Sequence, residues 1–241
     1  MNPAGMPLEF DPYGNAKPDL VTELGKFCSF CEKSLTRSAF HVEHILAKGC
    51  LIPGSQTLKY PHLKKRWDNF LLACVNCNSV KGDKDVAVLA PFMPHENNLL
   101  HFLEIQTGGM IVMKTGVVGN DRIRAQAFID LVGLDRIPGH AQFSMKDDRW
   151  DERLGAYDLA GRYLAKYTSN PPTADIESIV DLAMAIGFYT IWYQFFIGHD
   201  AVINAFINGF TRSDGSIVEP FPSTCNNSFD ATNHYNTLPR P

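Results

Sequence analysis

The pattern of apolar and polar positions divides the chain into three regions. Residues 1–26 contain four prolines, which interrupt any regular spacing and predict an irregular N-terminal lead-in. Residues 27–90 contain short apolar runs such as FHVEHIL and NFLLACV, which are typical of short strands and turns. In residues 91–241 apolar positions recur mainly at helical spacing. The pattern therefore predicts an α+β protein, with a small mixed module followed by a mainly helical region.

Several elements are predicted within the helical region. Gly108-Gly109 lies between two apolar runs and predicts a β-hairpin. A period near 3.6 predicts helices in DRIRAQAFIDLVGL, RWDERLGAYDLAGRYLAKY and ADIESIVDLAMAIGF, and a shorter helix in DAVINAFINGF. The first of these helices has apolar residues at helical spacing at four positions: Ile123, Ala127, Leu131 and Leu134.

The longest stretch without charge covers residues 182–198. It is slightly shorter than a bilayer-spanning segment and contains polar residues, so we expect a buried or interface helix rather than a membrane span. The N-terminus lacks the basic start and apolar run of a signal peptide. We therefore expect a cytoplasmic protein that does not associate with membranes.

Charge is distributed unevenly along the chain. The net charge of −4 disfavours nucleic-acid binding, but residues 26–84 contain ten Lys/Arg and four Asp/Glu, a balance of +6. The remaining residues must then carry −10. The basic part is a candidate surface for a polyanion. The acidic helical region is a poor DNA-binding surface and a candidate surface for a protein partner or for homo-oligomer formation.

Four of the six cysteines form two C-x-x-C pairs, Cys28/Cys31 and Cys74/Cys77. In a chain without an export signal, such pairs predict a metal site before disulfides. Zinc prefers four ligands in a tetrahedron, and a complete set of thiolates leaves no open position, so a structural zinc ion is expected. The alternatives are two unrelated buried pairs or a redox dithiol. The other cysteines are expected to be inert: Cys50 and Cys225.

Such a zinc ion would close a loop of 42 residues between Cys31 and Cys74 and bring distant polar residues together. A carboxylate and an amide oxygen suit Mg²⁺ or Mn²⁺, and a neighbouring histidine can take a proton from water near neutral pH. Asn78 and Lys81 are three residues apart and share one face of a predicted helix. The polar residues able to take part in chemistry are His41, Glu43, His44, His62, Asn69, Asn78 and Lys81.

In combination, these motifs resemble the HNH, or ββα-metal finger, endonucleases. The family pattern is C-x-x-C, an acidic residue before His and an aliphatic residue, Asn before an apolar run, and C-x-x-C-N followed by lysine. This chain reads CSFC, EHI, DNFLLAC and CVNCNSVKGDK in the same order. The longer segments YPHLKKRWDNFLLACVNCNSVKGDK, AQAFIDLVGLDR and GFYTIWYQFF are similar to HNH proteins of bacterial anti-phage systems, including Septu-type and retron-associated nucleases.

The resemblance implies a role for each matching residue. His44 would be the general base, and Glu43 and Asn78 would be ligands of one divalent metal ion, Mg²⁺ or Mn²⁺. Asn69 would hold the loop around His44 by bonding to its backbone. Lys81 would contact phosphate or support the metal site. Many family members have Asp where this chain has Glu43, and the longer side chain would shift the ion.

The implied reaction is hydrolysis of a DNA phosphodiester bond, which leaves 5′-phosphate and 3′-hydroxyl ends. Some relatives act with an ATPase partner, and the helical region is the candidate surface for one. The aromatic stretch 188–196 is expected to be ordinary core, with a partner contact as the alternative. Six basic residues are candidates for contact with the nucleic-acid backbone: Lys59, Lys64, Lys65, Arg66, Lys81 and Lys84.

Two other functions fit the same residues. One is a zinc-stapled module that binds nucleic acid or protein without catalysis, and the other is an RNA-cleaving HNH nuclease, because phosphate contacts do not distinguish the two polymers. On a strand, His41 faces the same side as Glu43, so it either contacts the metal or is a hydrogen-bonded structural histidine. His62 is structural or of unknown role. Trp67 is expected to pack, with base stacking as the alternative.

Overall fold

The computed structural model describes residues 7–97 and 99–218, so Cys225 and most of the C-terminal tail lie outside the described residues. The chain is 46% helix and 13% strand, which confirms a mixed protein dominated by helix. The strands are β1 (His41–His44), β2 (Phe70–Ala73), β3 (Leu103–Gln106), β4 (Met110–Met113), β5 (Phe210–Thr211) and β6 (Ile217–Val218). The helices are α1 (Lys17–Leu24), α2 (Val75–Lys81), α3 (Val86–Leu89), α4 (Gly119–Val132), α5 (Arg149–Tyr167), α6 (Ile176–Ile186), α7 (Tyr189–Phe196) and α8 (Asp200–Asn208).

The N-terminal segment is not irregular throughout. A 3-10 turn, Tyr13–Ala16, leads into α1, and Pro18 lies in the first turn of that helix. Proline is tolerated there because the first N–H groups of a helix have no partner within the helix. Leu20 and Leu24 of α1 are buried, and the helix packs on β2. The predicted irregular lead-in is therefore wrong for α1.

Strands β1 and β2 pair antiparallel, with His41 opposite Ala73 and His44 opposite Phe70. Helix α2 begins directly after Cys74 and packs on both strands. Two strands and a helix thus follow one another in the chain, and residues 45–69 form the connection between the strands. This arrangement places β1 beside α2, although 37 residues separate His41 from Asn78 in the sequence.

Two hydrophobic cores lie side by side. The first combines α1, β1 and β2 with α4, which contributes Phe128 and Ile129. The second is built mainly from helices α5 to α8 and includes Trp192 and Phe196. Because α4 packs with the N-terminal elements, the division between the two cores does not coincide with the predicted boundary at residue 90.

The predicted hairpin and helices of the C-terminal region are confirmed. Strands β3 and β4 pair around Gly108-Gly109, and α4, α5, α6 and α8 occupy the predicted segments. The expected apolar positions of this segment are confirmed only in part. Leu131 and Leu134 are buried, whereas Ile123 is 67% exposed. Phe128 and Ile129 are buried in addition. Apolar residues lie on more than one side of α4, so its spacing alone does not determine which side faces the core.

The uncharged stretch 182–198 forms two helices rather than one. Helix α6 ends at Ile186, Gly187 follows it, and α7 begins at Tyr189. None of the helices in the described part of the chain has the length and apolar character needed to cross a membrane. Trp192 and Phe196 are fully buried, which confirms that the aromatic stretch is core. The alternative of a partner contact is wrong for these two side chains.

Gly187, between α6 and α7, also contacts the backbone of the segment that follows the first cysteine pair. Gly187 has a φ of +82°, and a Cβ atom there would lie 2.3 Å from the carbonyl oxygen of Glu32. The Glu32 carboxylate accepts hydrogen bonds from the backbone N–H of Thr190, at 3.0 Å, and from its hydroxyl, at 2.5 Å. The start of α7 is therefore bound to the segment that follows the first cysteine pair.

A Gly187→Ala substitution should destabilise the protein. The backbone conformation alone costs a residue with a Cβ about 1–3 kcal/mol, and the contact with the Glu32 backbone adds to that cost. Gly155→Ala is the matched control, because Gly155 lies in α5 with open space around it. It should stabilise by about 0.5–1 kcal/mol. Urea unfolding of both variants measures the difference, and equal stabilities would contradict this account of the break.

Candidate functional site

The two cysteine pairs come together in one buried cluster. The Sγ atoms of Cys28, Cys31, Cys74 and Cys77 all lie within 4.8 Å of one another. Cys31 Sγ and Cys74 Sγ are 3.8 Å apart, and a tetrahedral zinc–thiolate site with bonds of about 2.3 Å has sulfur–sulfur edges of about 3.8 Å. The cluster could hold a metal ion such as zinc. The alternative of two unrelated buried pairs is wrong.

Backbone groups already support the sulfur atoms. The N–H of Cys74 donates to Cys28 Sγ at 3.3 Å, and the N–H of Cys77 donates to Cys74 Sγ at 3.3 Å. The cysteines shift one another's pKa in opposite directions. Hydrogen bonds from Cys28 and the other cysteines lower the pKa of the Cys74 thiol, whereas the bond with Cys28 raises the pKa of Cys31 and burial raises the pKa of Cys77. The thiolate is the form that binds metal.

Arg149 connects this cluster to helix α5. Its side chain is buried, and Nη1 donates to Cys77 Sγ at 3.1 Å and to the Val132 carbonyl oxygen at 2.7 Å. Its Nε and Nη2 donate to the Asp147 carboxylate at 2.7 and 2.5 Å. The N–H groups of the guanidinium thus donate to a carboxylate, a cysteine sulfur and a backbone carbonyl oxygen. The buried cation is therefore fully compensated.

Arg153, one turn further along α5, is buried as well. Its Nε donates to the Gly109 carbonyl oxygen at 2.6 Å and its Nη2 to the Leu134 carbonyl oxygen at 3.1 Å. A zinc ion with four thiolates has a net charge of about −2, and Arg149 and Arg153 offer compensating positive charge nearby. We did not predict either role from the sequence. The available signal was that both arginines share one helical stripe with Ala156 and Ala160, both of which are buried.

The exposed rim of the cluster also contacts α5. Lys33 Nζ lies 2.9 Å from Asp148 Oδ2 and 2.8 Å from Glu152 Oε1. Asn76 donates to Asp148 Oδ1 at 3.2 Å. The start of α5 thus contacts both the segment after the first cysteine pair and the helix that contains the second pair.

Purified protein should contain one zinc ion per chain. Cys74→Ser should lose this ion and much of the folded structure, because structural zinc binding contributes folding free energy. Cys50→Ser is the control, since Cys50 is buried outside the cluster. Zinc content by atomic emission and circular dichroism test both variants. Normal zinc content in Cys74→Ser would contradict the assignment.

Arg149→Met should weaken zinc retention and destabilise the protein by about 3–5 kcal/mol, because it removes one of the two cations near the cluster and leaves the Asp147 carboxylate without its partner. Arg162→Met is the control, since Arg162 lies on the exposed side of the same helix. The rate of zinc release to a chromogenic chelator and the unfolding midpoint measure the effect. If both variants release zinc at the wild-type rate, Arg149 has no role at the cluster.

A second group of polar residues lines one surface cleft. β1 supplies the predicted base and carboxylate, α2 supplies the predicted amide, and the N-terminal turn and the loop after β1 supply further side chains. The polar residues that line the cleft are Tyr13, Lys17, Ser38, His41, Glu43, His44, Lys48, Asn78 and Asp83.

His44 is held in one orientation. Its Nε2 lies 2.8 Å from the Lys64 carbonyl oxygen, and a carbonyl can only accept, so Nε2 carries the hydrogen and Nδ1 of the neutral ring has a free lone pair. The Tyr13 and Phe70 rings pack nearly perpendicular to the imidazole, at centroid distances of 4.9 and 5.1 Å. Burial lowers the pKa of His44, which favours the neutral form able to accept a proton.

Asn69 makes the backbone contacts that the family resemblance implies for it. Its Oδ1 accepts from the Leu46 N–H at 2.8 Å, and its Nδ2 donates to the carbonyl oxygens of Leu46 at 3.1 Å and Leu63 at 3.3 Å. Leu46 is two residues after His44, and Leu63 is next to Lys64, whose carbonyl orients the imidazole. Asn69 therefore binds both the backbone that follows His44 and the backbone beside the carbonyl that orients it.

Lys81 is completely buried. Its Nζ donates to Glu43 Oε1 and to the His44 carbonyl oxygen, both at 2.7 Å. Burial raises the pKa of Glu43, while the positive charge of Lys81 opposes that change. A contact between Lys81 and nucleic acid is therefore wrong for this structure. The other role implied for Lys81, support of the carboxylate, agrees with the geometry.

The amide of Asn78 faces His41. Asn78 Nδ2 donates to His41 Nδ1 at 2.7 Å, which is the hydrogen-bonded role considered for His41. The Glu43 carboxylate and the Asn78 amide oxygen are hard donors on the same cleft. Mg²⁺ is often held by one or two carboxylates together with water and substrate phosphates, so this donor set fits such an ion.

The predicted basic residues do not form a free positive surface. Several of them form ion pairs with nearby carboxylates. Ion pairs at a protein surface are weak and exchange readily, so these pairs do not exclude contact with phosphate. Lys64 is exposed, and no ion pair to it is formed among the described residues. Of the others, the structure gives these partners: Lys59 with Asp85 at 2.5 Å, Lys65 with Asp11 at 2.5 Å, Arg66 with Asp68 at 2.6 Å, and Lys84 with the carbonyl oxygens of Asp130 and Leu131.

Three further residues have clear positions. Trp67 is buried and packs on the Phe10 ring at a centroid distance of 5.7 Å, so it is a packing residue and the base-stacking alternative is wrong. Cys50 is buried away from the cysteine cluster, in agreement with an inert role. His62 lies on the surface in a 3-10 turn.

No protein-family model matches the chain, and neither a curated protein nor a solved structure matches it. The residue pattern and the geometry of the two clusters therefore carry the assignment of function.

The cleft also contains side chains that we did not select from the sequence: Tyr13, Lys17, Lys48 and Asp83. Tyr13 and Lys17 come from the segment that we expected to be irregular. Asp83 packs so closely on Gly49 that a Cβ atom at residue 49 would overlap its carboxylate, at 2.2 Å from Oδ1. The signal available for Lys48 was its position four residues after His44 in a Gly-containing loop.

Proposed function

We propose that this chain is a metal-dependent HNH-type endonuclease that hydrolyses phosphodiester bonds of DNA. The observation that carries the proposal is the orientation of His44. Its Nε2 is bound to the Lys64 carbonyl oxygen, which leaves Nδ1 as the proton acceptor in the cleft that Glu43 and Asn78 also line. A buried, neutral and oriented imidazole beside hard oxygen donors suits the activation of water.

In the proposed reaction, His44 accepts a proton from the water that attacks phosphorus. Asn69 and the Lys64 carbonyl keep the imidazole in place, and the rings of Tyr13 and Phe70 limit its rotation. Lys81 fixes the Glu43 carboxylate toward the cleft. A divalent ion held by Glu43 and Asn78 would supply positive charge for the leaving 3′-oxygen.

The proposal assigns the four-cysteine cluster to structural zinc. It also includes a role in bacterial anti-phage defence, in the cytoplasm, on the basis of the motif resemblance described above. An ATPase or another defence partner would contact the helical region. Since Trp192 and Phe196 are buried, that contact would have to use the outer surfaces of the helices.

One observation favours a second candidate, a zinc-stapled binding module without catalysis. Lys81 already compensates the charge of Glu43, and Asn78 Nδ2 already donates to His41, so both side chains are held in place without a metal ion. An RNA-cleaving nuclease differs only in its substrate, because phosphate contacts are common to both polymers.

A cleavage assay separates these functions. Zinc-loaded protein is incubated with supercoiled, linear and single-stranded DNA and with RNA, in Mg²⁺ or Mn²⁺. We expect DNA cleavage that falls about 10²–10⁴-fold in His44→Ala, the usual contribution of a general base. His62→Ala is the control and should retain activity. Zinc content and circular dichroism confirm that both variants are folded.

The other outcomes are equally specific. Robust cleavage by folded His44→Ala would remove the proposed base. Binding without any product, whichever metal is added, would favour the binding module. Cleavage restricted to RNA would change the substrate and leave the mechanism in place.

A further inference from the structure

Lys48 is a cation on the candidate cleft that none of the predicted roles uses. It is an exposed lysine in the loop after β1 and lines the same cleft as Glu43 and His44. Among residues 7–97 and 99–218, no carboxylate forms an ion pair with it, which distinguishes it from Lys59 and Lys65. Asp83 also lines this cleft, yet it does not pair with Lys48 within the 4 Å distance of an ion pair.

The Lys48 ammonium is positioned by an aromatic ring. Its Nζ donates to the Tyr13 hydroxyl at 2.5 Å and lies 4.3 Å from the centroid of the same ring. A lysine loses conformational entropy when it is held in one place, and a contact to both the ring and its hydroxyl supplies the compensation. The ammonium is therefore held against Tyr13, which also lines the cleft, instead of extending freely into solvent.

Tyr13 links this cation to the imidazole. The ring that holds Lys48 also makes an edge contact with His44, at a centroid distance of 4.9 Å. Lys48 and His44 thus contact the same tyrosine ring, and both line the cleft.

The hydrogen bond leaves donors available. Because Lys48 donates to the Tyr13 oxygen, the phenolic hydrogen remains free to donate, and the ammonium retains two more N–H groups. Lys17 adds a second positive charge on the rim of the cleft. The Lys48 ammonium and the Tyr13 hydroxyl can thus donate to one negatively charged group. A phosphate oxygen suits such donors, and lysine is a common partner for it.

We infer that Lys48, positioned by Tyr13, binds a non-bridging oxygen of the phosphate that lies in front of His44. This inference rests on the proposed endonuclease function and adds a substrate-binding residue to it. The contact is to the backbone, so its effect should be similar for different nucleotide sequences.

The experiment uses full-length, zinc-loaded protein with the His44→Ala substitution, so that binding is measured without cleavage. The affinity for a fluorescent DNA duplex is titrated in Mg²⁺ at salt concentrations between 50 and 200 mM. Lys48→Met should weaken binding and reduce the slope of log K against log salt by about one, the effect of one lost phosphate contact. Tyr13→Phe should weaken binding less, because it retains the ring.

Lys166→Met is the matched control. Lys166 lies over the Tyr163 ring at 4.8 Å, a similar lysine–tyrosine contact on α5. It should leave both the affinity and the slope unchanged. Zinc content and the unfolding midpoint establish that all the variants are folded.

Cleavage by the wild-type protein, measured in parallel, separates this inference from the proposed function. If the wild type cuts DNA but Lys48→Met and Lys166→Met have the same slope, the phosphate contact is wrong and the endonuclease stands. If the wild type does not cut but Lys48→Met alone lowers the slope, the contact is supported and the endonuclease is wrong. If the protein binds no DNA at 50 mM salt, both are wrong.

Discussion

The contact between the Arg149 guanidinium and the Cys77 sulfur joins the helical region to the N-terminal module. A buried cluster of thiolates needs compensating positive charge, and a buried arginine needs acceptors for its donors. The N-terminal module supplies the cysteine sulfur atoms, and α5, which begins at Arg149, supplies a cation that contacts one of them. Removing Arg149 would take away one of two nearby cations, whereas removing Cys77 would leave Arg149 its pair with Asp147. If the cysteines hold a metal ion, its binding and the docking of the helices would be energetically coupled.

The cysteine cluster also determines the geometry of the cleft. Cys74 begins α2 and Lys81 ends it, so the orientation of this short helix is fixed at the cluster and transmitted to the far end. There, Lys81 binds the Glu43 carboxylate and the carbonyl oxygen of His44. A disturbance at the sulfur atoms would change the position of that ammonium and of the strand it holds. The cysteine cluster and the proposed catalytic groups are thus linked through one helix.

The sequence predicts features that depend on local pattern. The sequence correctly predicted the cysteine cluster, the Gly-Gly hairpin and three long helices. Each of these predictions uses residues that are close together in the sequence. Features that depend on tertiary contacts were missed or wrong. Lys81 looked like a surface cation because nothing in its neighbourhood shows that β1 covers it. Helix α1 was missed because a proline in the first turn looks the same as a helix-breaking proline, and packing on β2 decides between them.

The internal hydrogen bonds of the cleft constrain how the proposed reaction can work. Lys81 is fully buried and has no room to swing into solvent, so it remains bound to Glu43 Oε1 when a ligand arrives. A divalent ion would then meet a carboxylate whose charge is already largely compensated, and a neutral amide. Such a pair binds the ion weakly by itself. The oxygens of the substrate phosphate are needed to complete the coordination, because Mg²⁺ prefers six oxygen ligands in a near-octahedral arrangement. Ion and phosphate should therefore bind cooperatively, and Lys48 would increase that cooperativity by holding the phosphate in the cleft.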